Sequence, residues 1–182
     1  NVGGLNALEV ASDTDDSVTV DRLYYQFPVG EQFTATFGAL VRQDDMLAVW
    51  PSLYPSETNL DFFTYAGAPG AYSLTNGGGA GLWWENDGGW SISASYVSDN
   101  ADNGRPDHIF DTETGFSAGG GGIATNAAAG NATAQIAYSA DQWGMAGAYS
   151  YTSGDNGAGL STGNATPLAT IVSKFGTSNS FA

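Results

Sequence analysis

Hydrophobic and polar positions alternate with period two through three stretches of the chain, and each stretch breaks at a tight turn. The clearest is Gly77 to Ser98. Ala80, Leu82 and Trp84 share one face before the turn, and Trp90, Ile92, Ala94 and Tyr96 share one after it. The opposite parity carries Gly79, Gly81 and Trp83, then Ser91, Ser93 and Ser95. Side chains of a strand point alternately to its two faces, so this pattern predicts a β-hairpin with one apolar and one small or polar face. The turn Glu85-Asn86-Asp87-Gly88-Gly89 supplies residues that tolerate positive φ.

Two further hairpins repeat the pattern. In one, Leu23, Tyr25 and Phe27 lead into Pro28-Val29-Gly30-Glu31-Gln32, and Phe33, Ala35, Phe37 and Ala39 lead out. In the other, Ala134, Ile136 and Tyr138 precede Ser139-Ala140-Asp141-Gln142, and Trp143, Met145, Tyr149 and Tyr151 follow. Leu5–Val10 and Leu168–Phe175 read as additional strands, giving about eight in all. No amphipathic helical pattern appears. Each hairpin turn is flanked by aromatic residues: Phe27 with Phe33, Trp84 with Trp90, and Tyr138 with Trp143. These are expected to face each other across their turns. Long connections, Val41 to Asn76 and Asp99 to Gly122, join the hairpins at the opposite end. Connections this long are uncommon in compact domains and usually carry function.

Alternation alone fits two architectures. In a soluble sandwich the apolar face is the core; in an outer-membrane barrel it meets lipid, and the polar face lines the lumen. Three features favour the barrel. Short turns alternate with long loops, aromatics recur beside every short turn as in an interfacial girdle, and the apolar faces of the three hairpins carry no charge. One position resists. Extending the Leu23–Tyr25–Phe27 parity backwards points Asp21 at lipid, so a bulge near Arg22 must flip the parity or the assignment fails there. The alternative is a secreted acidic β-sandwich, an adhesin or carbohydrate-binding module, in which Trp83, Phe62, Phe63 or Tyr65 would stack on sugars.

Composition narrows the chemistry. Against 19 acidic residues stand 4 basic ones, for a formal charge of −15, so nothing here neutralises nucleic-acid phosphates. The absence of cysteine removes disulfides, thiolate metal sites and cysteine nucleophiles. No catalytic constellation or cofactor motif is visible, and the function class expected is not an enzyme. His108 is the single histidine, without partners for a triad or a metal set. The acidic loops Asp13/Asp15/Asp16 and Asp99/Asp102/Asp107 do not follow a calcium-loop spacing, and cation attraction is their plainer role. The glycine runs at 77–79 and 119–122 lack a nucleotide-loop context and suggest close backbone approach.

The segments RLYYQFPVGEQFTATFGALVRQDDMLAVWPSLYPSE, DFFTYAGAPGAYSLTNGGGAGLWW, WSISASYVS and ATAQIAYSADQWGMAGAYSYTSG resemble the outer-membrane porins of cyanobacteria, a family related to carbohydrate-selective porins and often labelled iron-uptake porins. The likeness covers most of residues 17–176. It implies an antiparallel transmembrane β-barrel of about sixteen strands, of which residues 1–182 would be a single barrel segment without the family's cell-wall-binding segment. It further implies a homotrimer in outer-membrane lipid and lipopolysaccharide, passing small hydrophilic solutes or ions. The acidic balance adds an expectation of cation preference. Arg22 and Arg42 take lumen-parity positions, with Asp44 and Asp45 directly following, so a constriction formed as the Val41–Asn76 connection bends inward would place opposed charges there. The plainer reading of Arg42-Gln43-Asp44-Asp45, a solvated strand end with a local ion pair, carries somewhat more weight.

Overall fold

A computed structural model describes residues 18–50, 71–72, 75–106, 109–110, 117–118, 120–153 and 178–181. Within them the chain is all-β and antiparallel. Six strands form the main sheet: β1 (Leu23–Val29), β2 (Phe33–Arg42), β3 (Asn76–Glu85), β4 (Trp90–Ser98), β7 (Gly130–Ser139) and β8 (Gly144–Thr152). A four-residue strand, β9 (Ser178–Phe181), extends the sheet beyond β8. The spatial order is β1-β2-β3-β4-β7-β8-β9, so β1 and β9 are edges and the sheet is not closed. A small separate hairpin, β5 (Ile109–Phe110) with β6 (Ser117–Ala118), sits inside the second long connection. A single 3-10 turn, Gln43–Met46, is the described helical element. Among the described residues no helix is long and apolar enough to cross a membrane, which says nothing about strands.

The three predicted hairpins are β1–β2, β3–β4 and β7–β8. Their tight turns follow the expected chemistry: Gly30 (φ 70°) and Gly89 (φ 85°) adopt the left-handed backbone that a side chain would oppose. Pro28 and Val29, read as turn residues, instead end β1, where an edge position tolerates the proline's missing donor. The predicted strands Leu5–Val10 and Leu168–Phe175 lie outside the described residues. Neither β9 nor the β5–β6 hairpin was foreseen, because segments of four and two residues are too short to display a period.

The sheet's two faces are inverted relative to a soluble domain. Across one face run Val29–Phe33–Trp84–Ile92–Ile136, then Phe27–Ala35–Leu82–Ala94–Ala134–Tyr149, then Tyr25–Phe37–Ala80–Tyr96–Ala132–Tyr151. This apolar face is uncovered: Trp90 is 47% exposed and Ile92 51%. The polar face is the covered one. Ser91, Ser93, Thr133, Gln135 and Ser150 are buried, Ser93 to 1%. A soluble one-layer-covered sheet buries its apolar face; here burial and polarity are exchanged. An apolar groove on the uncovered face, about 420 Å³, is lined by Phe33, Leu82, Trp83, Trp84, Ile92 and Ala94.

The aromatic residues meet, but not in the pairs expected. Phe27 stands opposite Ala35, and its ring contacts are with Tyr25 (5.4 Å) and Phe37 (6.2 Å) rather than with Phe33. Trp84 stands opposite Ile92 and, on its other side, Phe33; Trp90 stands opposite Tyr138, with ring centroids 5.1 Å apart. Only Tyr138 and Trp143 meet as proposed, at 5.3 Å. The error lay in treating hairpins as isolated. In a continuous sheet each strand has two neighbours: Trp84, Trp90 and Phe33 take partners from the adjacent hairpin, while Phe27 keeps its ring contacts within its own.

Candidate functional site

What covers the polar face is the first long connection. Its described parts, residues 43–50, 71–72 and 75, form a strap across β3, β4, β7 and β8. The strap starts at the 3-10 turn, where the Gln43 amide donates to the Thr75 carbonyl (3.0 Å) and joins its two limbs. Gln43 Nε2 then bonds Ser95 Oγ (2.8 Å), Ala48 N donates to Ser93 Oγ (2.9 Å), and Gln135 Nε2 donates to Val49 O (3.0 Å) and to Tyr72 OH (3.1 Å). Ser93, Ser95 and Gln135 of the sheet's polar stripe are therefore bonded to the strap, while the buried Ser91 hydroxyl has no partner. Burial pushes the Tyr72 phenol above its ordinary pKa and the Gln135 bond opposes that shift, so the hydroxyl remains neutral.

Apolar side chains of the strap supply the rest of the seat. Met46 packs with Val41 and Val97 in a fully buried cluster. Leu47, Ala71 and Tyr72 close on Ala148, with Trp50 against them and its ring 5.4 Å from that of Tyr72. Gly81 explains how the strap approaches so closely. A Cβ there would lie 2.8 Å from the Met46 Cβ and 2.9 Å from its sulfur. Gly77 and Gly79, read as marks of close backbone approach, do press on the β4 backbone: a Cβ would fall 2.0 Å from Ser98 O and 2.4 Å from Tyr96 O.

Beyond the strap, the polar face continues as a hydrogen-bonded side-chain ladder. Asn131 Nδ2 donates to Ser150 Oγ (3.1 Å) and Thr152 Oγ1 (3.0 Å), while Thr133 Oγ1 donates to Asn131 Oδ1 (3.0 Å). Such groups are costly to bury unpaired and modestly stabilising when paired.

The four charged residues singled out by sequence come together at the start of the strap. Arg22 Nε donates to Asp45 Oδ2 (2.8 Å), and the same guanidinium pairs with Asp21. Arg42 holds Asp44 by two bonds, Nε to Oδ1 and Nη2 to Oδ2, both 2.6 Å. Its own amide donates to Asp45 Oδ2 (3.1 Å). Asp45 thereby links the approach to β1 to the end of β2. The Arg42–Asp44 pair is local, whereas Arg22–Asp45 joins residues 23 positions apart. Each of these two guanidinium groups is thus bonded to a carboxylate, Arg22 to Asp21 and Asp45 and Arg42 to Asp44.

The parity argument for Arg42 needs correction. Three residue steps of β2, from Gly38 to Val41, match only two of β3, from Gly79 to Gly77. The extra residue flips the alternation, so Val41 joins buried Thr36 on the covered face and Arg42 loses the parity assigned to it. The same irregularity appears against β1, between Leu23 and Tyr24, close to where the Asp21 conflict required one. Asp21 precedes β1, and its side chain pairs with Arg22.

The remaining candidates contribute less. His108, Phe62, Phe63, Tyr65, Asp107 and the Asp13/Asp15/Asp16 loop lie outside the described residues. Asp99 has a raised pKa from burial and from the adjacent Asp102 charge, and no group of three metal-ligating side chains exists among the described residues. The strap's anchors Gln43, Met46, Tyr72 and Gln135 were missed in the sequence. A signal was there in the apolar run Met46-Leu47-Ala48-Val49-Trp50 directly after the charged Arg42-Gln43-Asp44-Asp45. Compared with protein-family models, curated proteins and solved structures, the chain matches none.

Proposed function

We propose that this chain is part of an outer-membrane diffusion channel of the porin type, in which the apolar face meets lipid and the polar face lines a water-filled lumen narrowed by the strap. The carrying observation is the inversion: Ile92 is half exposed while its neighbour Ser93 is buried under the strap. Strand length supports the same reading. β2, β3 and β7 have 10 residues and β4 and β8 have 9, which matches the ~9–11 needed to cross a bilayer at a tilt. Strands of soluble proteins are usually nearer ~5–6 residues. Along the apolar face, the middle row Phe27–Ala35–Leu82–Ala94–Ala134–Tyr149 is aliphatic on its four inner strands and aromatic at its two ends, and it lies between rows bearing Phe33 and Trp84 on one side and Tyr25, Phe37, Tyr96 and Tyr151 on the other. Aromatic girdles flanking an aliphatic band are the barrel arrangement. The unpaired edges of β1 and β9 would be closed by further pairing, since open edges are not tolerated in hydrocarbon.

On this reading the protein sits in outer-membrane lipid and lipopolysaccharide, assembles as a trimer, passes small hydrophilic solutes or ions, and catalyses nothing. The resemblance extends the solute list to carbohydrates and iron species, although no residue set here is a recognisable iron site. A soluble sandwich would require a second layer over the apolar face, and among the described residues none lies there.

The test is reconstitution of the full chain in planar bilayers. Discrete conductance steps are expected. Asp44→Asn releases the Arg42 guanidinium and should move ion selectivity toward anions, while Arg42→Ala leaves Asp44 unpaired and should move it toward cations. Absence of conductance steps from correctly folded protein would overturn the reading.

A further inference from the structure

An asparagine followed by glycine carries a latent reaction. The glycine nitrogen can attack the asparagine side-chain carbon, because no Cβ stands in its way. The chain has this dipeptide at Asn76-Gly77, Asn103-Gly104 and Asn156-Gly157, the last of them outside the described residues. The other two stand in opposite surroundings. Asn76 and Gly77 begin β3, paired with Arg42 and Val41 of β2. Gly77 is pressed against the Ser98 carbonyl with no room for a Cβ, and Asn76 Nδ2, the group that would leave, donates to the Asp21 carbonyl (2.9 Å). Closing a ring there requires the extended ladder to come apart first.

Asn103 and Gly104 lie in the second long connection and belong to no strand. A Cβ on Gly104 would meet nothing within 4 Å. The Arg105 amide donates to Asn103 Oδ1 (3.2 Å). A backbone N–H only donates, so the side-chain amide is oriented with its oxygen toward Arg105. That bond is placed to take up the negative charge that develops on Oδ1 as the Gly104 nitrogen adds to Cγ, which is the role of an oxyanion donor. The flanks are fixed: the Asn103 amide donates to the Asn100 carbonyl (3.2 Å), and the Arg105 carbonyl accepts from the Gly121 amide (2.7 Å). The reacting groups are therefore kept neighbours while the glycine between the fixed points is unobstructed.

We propose that Asn103 is a deamidation site in the folded protein and that Asn76 is protected. The Gly104 nitrogen bonds to Asn103 Cγ, the Cγ–Nδ2 bond breaks, and ammonia leaves with the Gly104 amide proton, giving a cyclic imide. Water then adds to one imide carbonyl. Opening at Cγ gives aspartate; opening at the main-chain carbonyl gives isoaspartate, whose main chain runs through the side-chain carbons. Either product places a new carboxylate between Asp102 and Arg105. Isoaspartate also lengthens the main chain between the bonds to Asn100 and Gly121 that fix this loop. The proposal does not depend on the channel reading.

The test compares the folded full chain with the same chain in denaturant, both incubated at mildly alkaline pH and mapped by peptide mass over time. In denaturant, residues 76 and 103 should deamidate at comparable rates. In the folded chain Asn103 should continue to react, while Asn76 slows at least tenfold, the factor imposed by a local opening that costs about 1.4 kcal/mol. Gly104→Ala restores a Cβ without a clash and should slow Asn103 in both states. An Asn103 that reacts in denaturant but stays intact in the folded chain, or an Asn76 that reacts as fast as Asn103 when folded, would overturn the proposal.

Discussion

Arginine in place of Ala94 is expected to prevent stable insertion of the protein, although Ala94 is exposed on its face of the sheet. Ala94 lies in the middle row of the apolar face, between Leu82 on β3 and Ala134 on β7. If that row is at the bilayer midplane, a guanidinium there costs roughly 2–4 kcal/mol. In a water-facing sheet the same change would be worth no more than about 0.5 kcal/mol. Folding into lipid vesicles, followed by denaturant titration, measures the difference. Ser95→Arg, one residue along and on the covered face, provides the contrast: it should disturb the strap through Gln43 without a lipid penalty.

The second large effect is expected at Gly81. Alanine there forces its Cβ to within 3 Å of both the Cβ and the sulfur of Met46, closer than packed atoms sit. Overpacking of this kind costs about 1–3 kcal/mol. The strap has a way to relieve it that the strands lack, namely to lift from the sheet. Gly81→Ala should therefore raise single-channel conductance while leaving the β-sheet circular dichroism intact. Gly104→Ala, where an added Cβ meets nothing within 4 Å, should change neither. A conductance unaltered by Gly81→Ala would mean that the strap does not narrow the passage.

The faces of the sheet were legible because period-two alternation survives any error in which strand pairs with which. Ile92, Ser93 and Ala94 fall where their parity puts them, and the first two hairpin turns fall at their glycines, Gly30 and Gly89, with the third at residues 140–143. Pairing was less legible. Trp84 and Trp90 flank one turn in sequence, yet register gives Trp84 to Phe33 and Trp90 to Tyr138. Register depends on the neighbouring hairpin, which is tens of residues away. The bulge in β2 was foreseeable only from its consequence, the conflict at Asp21, and nothing in Gly38-Ala39-Leu40-Val41 announces it. The charge cluster was found by residue type, but its electrostatic character was not. Arg42 and Asp44 lie two residues apart, and only the turn at Gln43–Met46 brings them into a bidentate pair. The strap's route is the hardest feature to read from sequence. Its seat is made of single contacts, such as Gln135 to Val49, between residues 86 positions apart.

The central claim is that the uncovered apolar face meets lipid. Trp90, 47% exposed and packed against Tyr138, is the reporter placed to test it. With Trp50, Trp83, Trp84 and Trp143 replaced by phenylalanine, its fluorescence in reconstituted protein should be strongly quenched by phospholipids with brominated acyl chains and weakly by aqueous iodide. Strong iodide quenching with no effect of the brominated lipid would place this face in water and contradict the account.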